Sequence, residues 1–195
     1  MEALARRTAI LRGRCAGTPS KPRGLEYMLS KAIQDALNEQ IKHEFSAAYA
    51  YLAMTAYFEH TNFPGIARWM RMQYDEEITH GMRLFDFVHA RGGRAAVHAI
   101  DQPRGDFDSP VDVFQSALEQ ERRVTKSIYD LYELSQNEKD YGTLVELQWF
   151  ITEQIEEEKT FEEIIETLIL AGEDRAALLL LDRQLGERPA SAEDA

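Results

Sequence analysis

Four glutamates occupy positions that helical periodicity reserves for apolar side chains, one on each of four long periodic segments. Glu44 falls in register with Leu37, Ile41, Ala48 and Tyr51, and Glu77 with Met70, Gln73, His80 and Leu84. Glu121 falls among Phe114, Leu118, Thr125 and Ile128, and Glu157 among Phe150, Gln154, Phe161 and Ile164. Residues three, four and seven apart share one face of a helix, so all four acids are expected to point into one interior. A single acid in such a register is more often paired, or set on a misread face. Four of them together repel one another and pay for desolvation. A cation held between them resolves both penalties, and a metal ion is the smallest one that fits.

The pattern predicts an all-α chain. Leu29, Ile33, Leu37, Ile41, Phe45, Ala48 and Leu52 carry the stripe of a first helix from about Ser30 to Glu59. Thr61 to Gly65 breaks it, and Pro64 opens a second helix running to about Arg91, where Gly92-Gly93 stops it. The polar stretch from Arg94 to Ser109 is too long for a tight turn and suits a crossover along the length of a bundle. Ser109-Pro110 reads as an N-cap followed by proline at the first helical position. The third helix should end near Asn137, and a fourth should run from Tyr141 to Ala171, with Gly172 as its stop. Asp174 to Leu185 is expected to form a short fifth helix in which Leu178 to Leu181 are apolar all round. The expected architecture is an antiparallel four-helix bundle with a long crossover between the second and third helices. Each glutamate then lies near the middle of its helix, which places all four in one layer.

Charge and cysteine content narrow the function. The net charge of −12 argues against nucleic-acid binding by phosphate neutralisation and favours cations as partners. No apolar run has transmembrane length. Cys15 is the only cysteine, which leaves no intrachain disulfide and no thiolate cluster, and points to a reducing, cytoplasmic setting. Residues 1–27 differ from the rest: six Lys/Arg face only Glu2 and Glu26. A translated leader ahead of Met28, a transit-type peptide, a basic arm and a cloning remnant all fit that composition. The expectation is a disordered basic extension over 1–27, one domain over 28–188, and a disordered tail over 189–195.

Glu77 and His80 form Glu-x-x-His on one helix, a spacing that lets both side chains reach one ion. The ligand set becomes four carboxylates and one imidazole, which suits iron or manganese better than structural zinc. Glu77 is the natural bridge between two ions, and five ligands shared by a pair leave positions open for water or dioxygen.

These residues, with Leu37-Asn38-Glu39-Gln40 before Glu44, Asp75 to His80, and Glu153 to Lys159, give the chain a resemblance to bacterial-type non-haem ferritins within the ferritin-like superfamily. The resemblance spans about Met28 to Leu185. It implies iron storage and homeostasis through ferroxidase activity: two Fe(II) are oxidised by dioxygen or peroxide at Glu44, Glu77, His80, Glu121 and Glu157, and Fe(III) mineral accumulates inside a homo-oligomeric 24-mer cage. It also implies that Tyr51 lies beside the iron pair and can donate an electron, and that Glu76, Glu153 and Glu156 form an accessory third iron site. The bland reading of Tyr51 is a core tyrosine with a bonded hydroxyl, and that of the surrounding acids, including Glu162, Glu163 and Glu166, is a solvated helix face.

Departures from related patterns carry information. Di-iron bundles of this type commonly carry two Glu-x-x-His motifs, whereas this chain has Gln154 three residues before Glu157. Gln154 is expected to hydrogen-bond beside the pair or to act as a weak ligand. A second ion held so loosely suits iron as a passing substrate. Bacterioferritin-like proteins place a haem-ligating methionine where this chain has Ile78, so no haem is expected. A rubrerythrin-like four-cysteine centre is excluded by the lone cysteine. The alternative function is a non-storage di-iron oxidase or peroxidase. A Dps-like DNA-protecting shell fits less well, since its metal site usually lies between subunits. Trp149 near the site is read as core packing, His43, His60, His89 and His98 as surface or cap residues, and Met54, Met70, Met72 and Met82 as core or interface packing.

Overall fold

The computed structural model describes residues 28–188, so the expectations for 1–27 and 189–195 lie outside the described residues. Five helices follow in order: α1 (Lys31–His60), α2 (Pro64–Ala90), α3 (Pro110–Asn137), α4 (Tyr141–Ala171) and α5 (Arg175–Gly186). Every long segment appears within a residue or two of its expected bounds, and no strand occurs among the described residues.

The caps explain where the helices begin. Ser30 accepts from the Ile33 amide and Ser109 from the Asp112 amide. Asp140 and Asp174 do the same for the amides of Thr143 and Ala176. Each satisfies one of the amides that a helix start leaves without a partner. α2 differs: Phe63 offers no capping side chain, Pro64 takes the first position, and Asn62 makes the turn at φ 64°. Its Ile66 amide finds its acceptor far along the chain, at Asp182 Oδ1 2.8 Å away on α5. The end of α4 matches its expectation, with Gly172 at φ 54°, a conformation glycine adopts freely.

α1 packs on α2 and α3, α3 on α4, and α5 on α2 and α4. The segment between α2 and α3 is a coil anchored at its start by buried Asn38, which donates to the Arg94 carbonyl (3.2 Å) and accepts from the Ala96 amide (2.9 Å). Arg91, just past α2, pairs with the α4 cap Asp140 at 2.9 Å.

The core is divided. One apolar cluster gathers Tyr51, Met54 and Phe58 of α1 with Trp69, Phe114 and Phe161. The other gathers Ile33, Leu37 and Ile41 of α1 with Leu84, Ile128 and Phe150. On every long helix the predicted acid falls between the two clusters. The bundle is therefore two apolar halves with a polar layer between them, which is what antiparallel helices with mid-helix acids require. Of the methionines, Met54 and Met70 are buried while Met82 is exposed.

α5 docks through close backbone approach. A Cβ built on Gly65 would lie 1.8 Å from the Asp182 carbonyl oxygen. Gly65→Ala is therefore expected to destabilise the chain by about 1–3 kcal/mol, as overpacking does, and to loosen α5. Urea melts combined with amide exchange over 175–186 check this. Unchanged exchange there would refute the docking argument.

Candidate metal centre

The polar layer buries all five predicted ligands, of which Glu44, Glu77 and His80 form the convergent group. Glu44, Glu77, His80, Glu121 and Glu157 are each at most 7% exposed. One potential ligand atom from each of Glu44, Glu77 and His80 lies within 4.8 Å of the others. Glu77 Oε2 stands 3.7 Å from His80 Nδ1 and is buried without a hydrogen-bond partner. A buried carboxylate oxygen rarely stays unsatisfied, and a cation is its natural complement.

The other two acids are held by neutral donors. The Tyr51 hydroxyl donates to Glu121 Oε1, and Gln154 Nε2 donates to Glu121 Oε2 at 3.1 Å. The Gln154 amide also reaches the Glu121 carbonyl and Thr125 Oγ1, both at 3.3 Å. Gln73 Nε2 donates to both oxygens of Glu157, at 3.1 and 3.2 Å. Gln40 Nε2 donates to Glu44 Oε1 at 2.8 Å. Amides and phenols orient the carboxyl groups without supplying a counter-charge, so neutralisation of the layer falls to protons or to an ion that displaces them.

The electrostatics are those of a crowded acid cluster in low dielectric. Burial pushes Glu44 well above the ordinary carboxylate range, and the neighbouring Glu77 adds to it. Burial likewise raises Glu77 strongly, reinforced by the charge of Glu121. Glu121 is raised by burial, partly offset by the Tyr51 and Gln154 hydrogen bonds. Glu157 is pushed up to about 8 by burial, then by Glu121 and Glu76. Burial, followed by the charge of Glu121, holds the Tyr51 phenol well above its usual value. Ions entering this layer must displace protons.

The residues expected to surround the pair are placed more variously. Tyr51 stacks on Phe161, with ring centroids 6.0 Å apart. Trp149 is half-buried. It meets the His80 ring edge-on at 5.2 Å and carries Arg83 over its face at 3.9 Å. It therefore packs against a site residue at the rim of the layer, a more specific place than the core packing expected of it. Of the acids expected at an accessory site, Glu76 and Glu153 are half-buried and Glu156 is exposed. His43 meets Ser127 Oγ at 3.0 Å and His98 meets Glu39 at 3.1 Å, both away from the layer.

Three residues escaped the sequence reading as site residues. Gln40 and Gln73 each precede a predicted acid by four residues on the same face, a spacing that could have flagged them. Arg188, beyond the end of α5, donates to Gln73 Oε1 and reaches Glu76 Oε1 at 3.0 Å. No periodicity marks it.

Comparisons with known proteins bear on the family and the fold. A family model described as a ferritin-like domain matches residues 34–171. A bacterial non-heme ferritin of Staphylococcus aureus is 41% identical over 161 residues, which are 83% of this chain and 97% of that protein. A bacterial non-heme ferritin of Staphylococcus haemolyticus is 41% identical over the same length. Among solved structures, an open pore ferritin from the hyperthermophilic archaeon Archaeoglobus fulgidus superposes with a TM-score of 0.81 at 44% identity, covering 83% of this chain and 99% of that one. No helix among the described residues is long and apolar enough to cross a membrane. With two apolar half-cores enclosing a layer of acids, and matches that run the length of its relatives, the chain belongs to the ferritin family, among proteins of the bacterial non-heme type.

Proposed function

We propose that this protein is an iron-storage ferritin with ferroxidase activity, and that Glu44, Glu77, His80, Glu121 and Glu157 hold a pair of ferrous ions. The observation that carries the reading is the convergence of Glu44, Glu77 and His80 ligand atoms within 4.8 Å, around a buried Glu77 oxygen that lacks a hydrogen-bond partner. Each Fe(II) gives up one electron. Dioxygen accepts the two and, with two protons, leaves as hydrogen peroxide. The ferric ions, stronger Lewis acids than the ferrous ones, hydrolyse bound water and move on as substrate. In this reading Tyr51 holds Glu121 through its hydroxyl and serves as an electron source beside the pair. Gln154 serves as an orienting donor in the metal-free state. Glu76, Glu153 and Glu156 form an accessory third site under the same reading.

Storage needs an enclosed volume. Leu170, Leu179 and Leu180 are exposed on the single chain, and their burial between copies suits a closed homo-oligomer such as a 24-mer cage. Aerobic ferrous titration followed by sizing, with iron and protein detected together, tests the function. Many irons per chain co-eluting with a large particle is the expected result. Fast turnover on a small oligomer retaining about a pair of ions per chain would instead indicate a non-storage oxidase or peroxidase.

A further inference from the structure

Arg188 ties the end of the fold to the flank of the site. Its guanidinium forks between two acceptors on α2, Gln73 Oε1 and Glu76 Oε1, the latter at 3.0 Å. Its carbon stands 5.6 Å from the centroid of the buried Trp69 ring. The Glu76 side chain is only 12% exposed and that of Arg188 32%, so this pair is partly shielded from water. Gln73 carries the contact inward: its carbonyl accepts from Arg188 while its amide donates to both oxygens of Glu157. A cleft of about 400 Å³ opens between α4 and α5, lined by Trp69, Glu157, Thr160, Glu163 and Arg188 among others. The guanidinium thus borders an opening that reaches one of the acids of the layer.

We propose that Arg188 is a positioning residue and a cation placeholder, filling the accessory iron position at Glu76 while that position is empty and being displaced when a third ion binds. The inference rests on the accessory-site reading above. Planar guanidinium matches carboxylate and amide oxygens in one plane, so a single residue can neutralise Glu76 and fix the Gln73 amide at once. A divalent ion at Glu76 offers the carboxylate a stronger partner and repels the guanidinium. Arg188 then swings away from Gln73, and Glu157 loses the donor arrangement that suited the metal-free state. Filling of the third position is in this way coupled to the geometry of the pair and to the segment that follows α5.

The test uses Zn²⁺ as a redox-inert probe on the full-length protein, in calorimetric titrations of the parent, Arg188→Gln and Arg188→Lys. Trp149→Phe is added to all three for a parallel titration, so that emission reports on Trp69 alone. Removing the competing cation should tighten the third Zn²⁺ on the order of tenfold in Arg188→Gln. Arg188→Lys, which keeps the charge without the fork, should return the affinity toward that of the parent. Trp69 emission should change with the third equivalent in the parent and stay flat in Arg188→Gln. A third ion bound equally well or more weakly in Arg188→Gln would overturn the placeholder while leaving the accessory site standing. Two ions and no third in every variant would overturn the accessory-site reading, and the placeholder with it.

Discussion

Glu77→Gln is expected to slow the initial aerobic oxidation of ferrous iron by more than about a hundredfold, since loss of even an outer hydrogen-bond partner of a metal ligand typically lowers affinity or activity 10–100-fold. Glu77 is the residue through which the layer is connected. Its ligand atom lies beside those of Glu44 and His80, and its charge acts on Glu44, while its own proton affinity answers to Glu121 and Glu157. The amide matches the carboxylate in shape but supplies neither the charge nor a bridging anion. The same substitution is expected to stabilise the metal-free protein by about 1–3 kcal/mol, because replacing a buried ionisable cluster member with a neutral group relieves its desolvation. Stopped-flow oxidation and urea melts in chelator check the two effects. Glu44→Ala and His80→Ala should also abolish fast oxidation while leaving assembly intact. Parental rates in these variants would remove the layer from the mechanism.

The second large effect is a stability that falls as pH rises. Glu157 is protonated in the fold up to about 8, whereas in the unfolded chain it ionises near 4.5. Between those values the folded state binds more protons than the unfolded one, so stability decreases with pH. The contribution is fully present below about 4.5 and is lost progressively until the folded value is passed. Each such group removes about 1.4 kcal/mol per pH unit inside its window. Glu44 and Glu77, raised in the same direction, act alike. Glu157→Gln lacks this term, so its advantage over the parent in metal-free melts should widen from pH 5 to pH 8 and then level off. Metal reverses the trend: anaerobic Fe(II) or Zn²⁺ should raise the melting temperature more at pH 8 than at pH 6, since fewer protons then have to be displaced for the ion to bind. A parent–variant difference independent of pH would mean that Glu157 is ionised in the fold.

Most of this organisation was legible in the residues, for identifiable reasons. Helix starts were readable because Ser30, Ser109, Asp140 and Asp174 each act locally, within three residues of the amide they satisfy. The acid layer was readable because it breaks a strong 3.6-residue pattern at the same depth on four helices. Contacts between helices were not. Nothing in the register says that the Tyr51 hydroxyl donates to Glu121 on α3, although Glu44 is its own neighbour one heptad back. Nor does it say which way the Gln154 amide turns, or that Trp149 lies against His80. The docking of α5 depends on Asp182 finding an amide 116 positions away, and Arg188 depends on that docking in turn. Such pairings are set by tertiary geometry, to which one-dimensional periodicity is blind.

The direct measurement of the central claim is anomalous diffraction at the iron edge from crystals loaded anaerobically with Fe(II). Two peaks inside each subunit, ligated by Glu44, Glu77, His80, Glu121 and Glu157 with Glu77 shared between them, are the predicted result. Iron found only on surface acids, with the buried layer empty at saturating Fe(II), would contradict it.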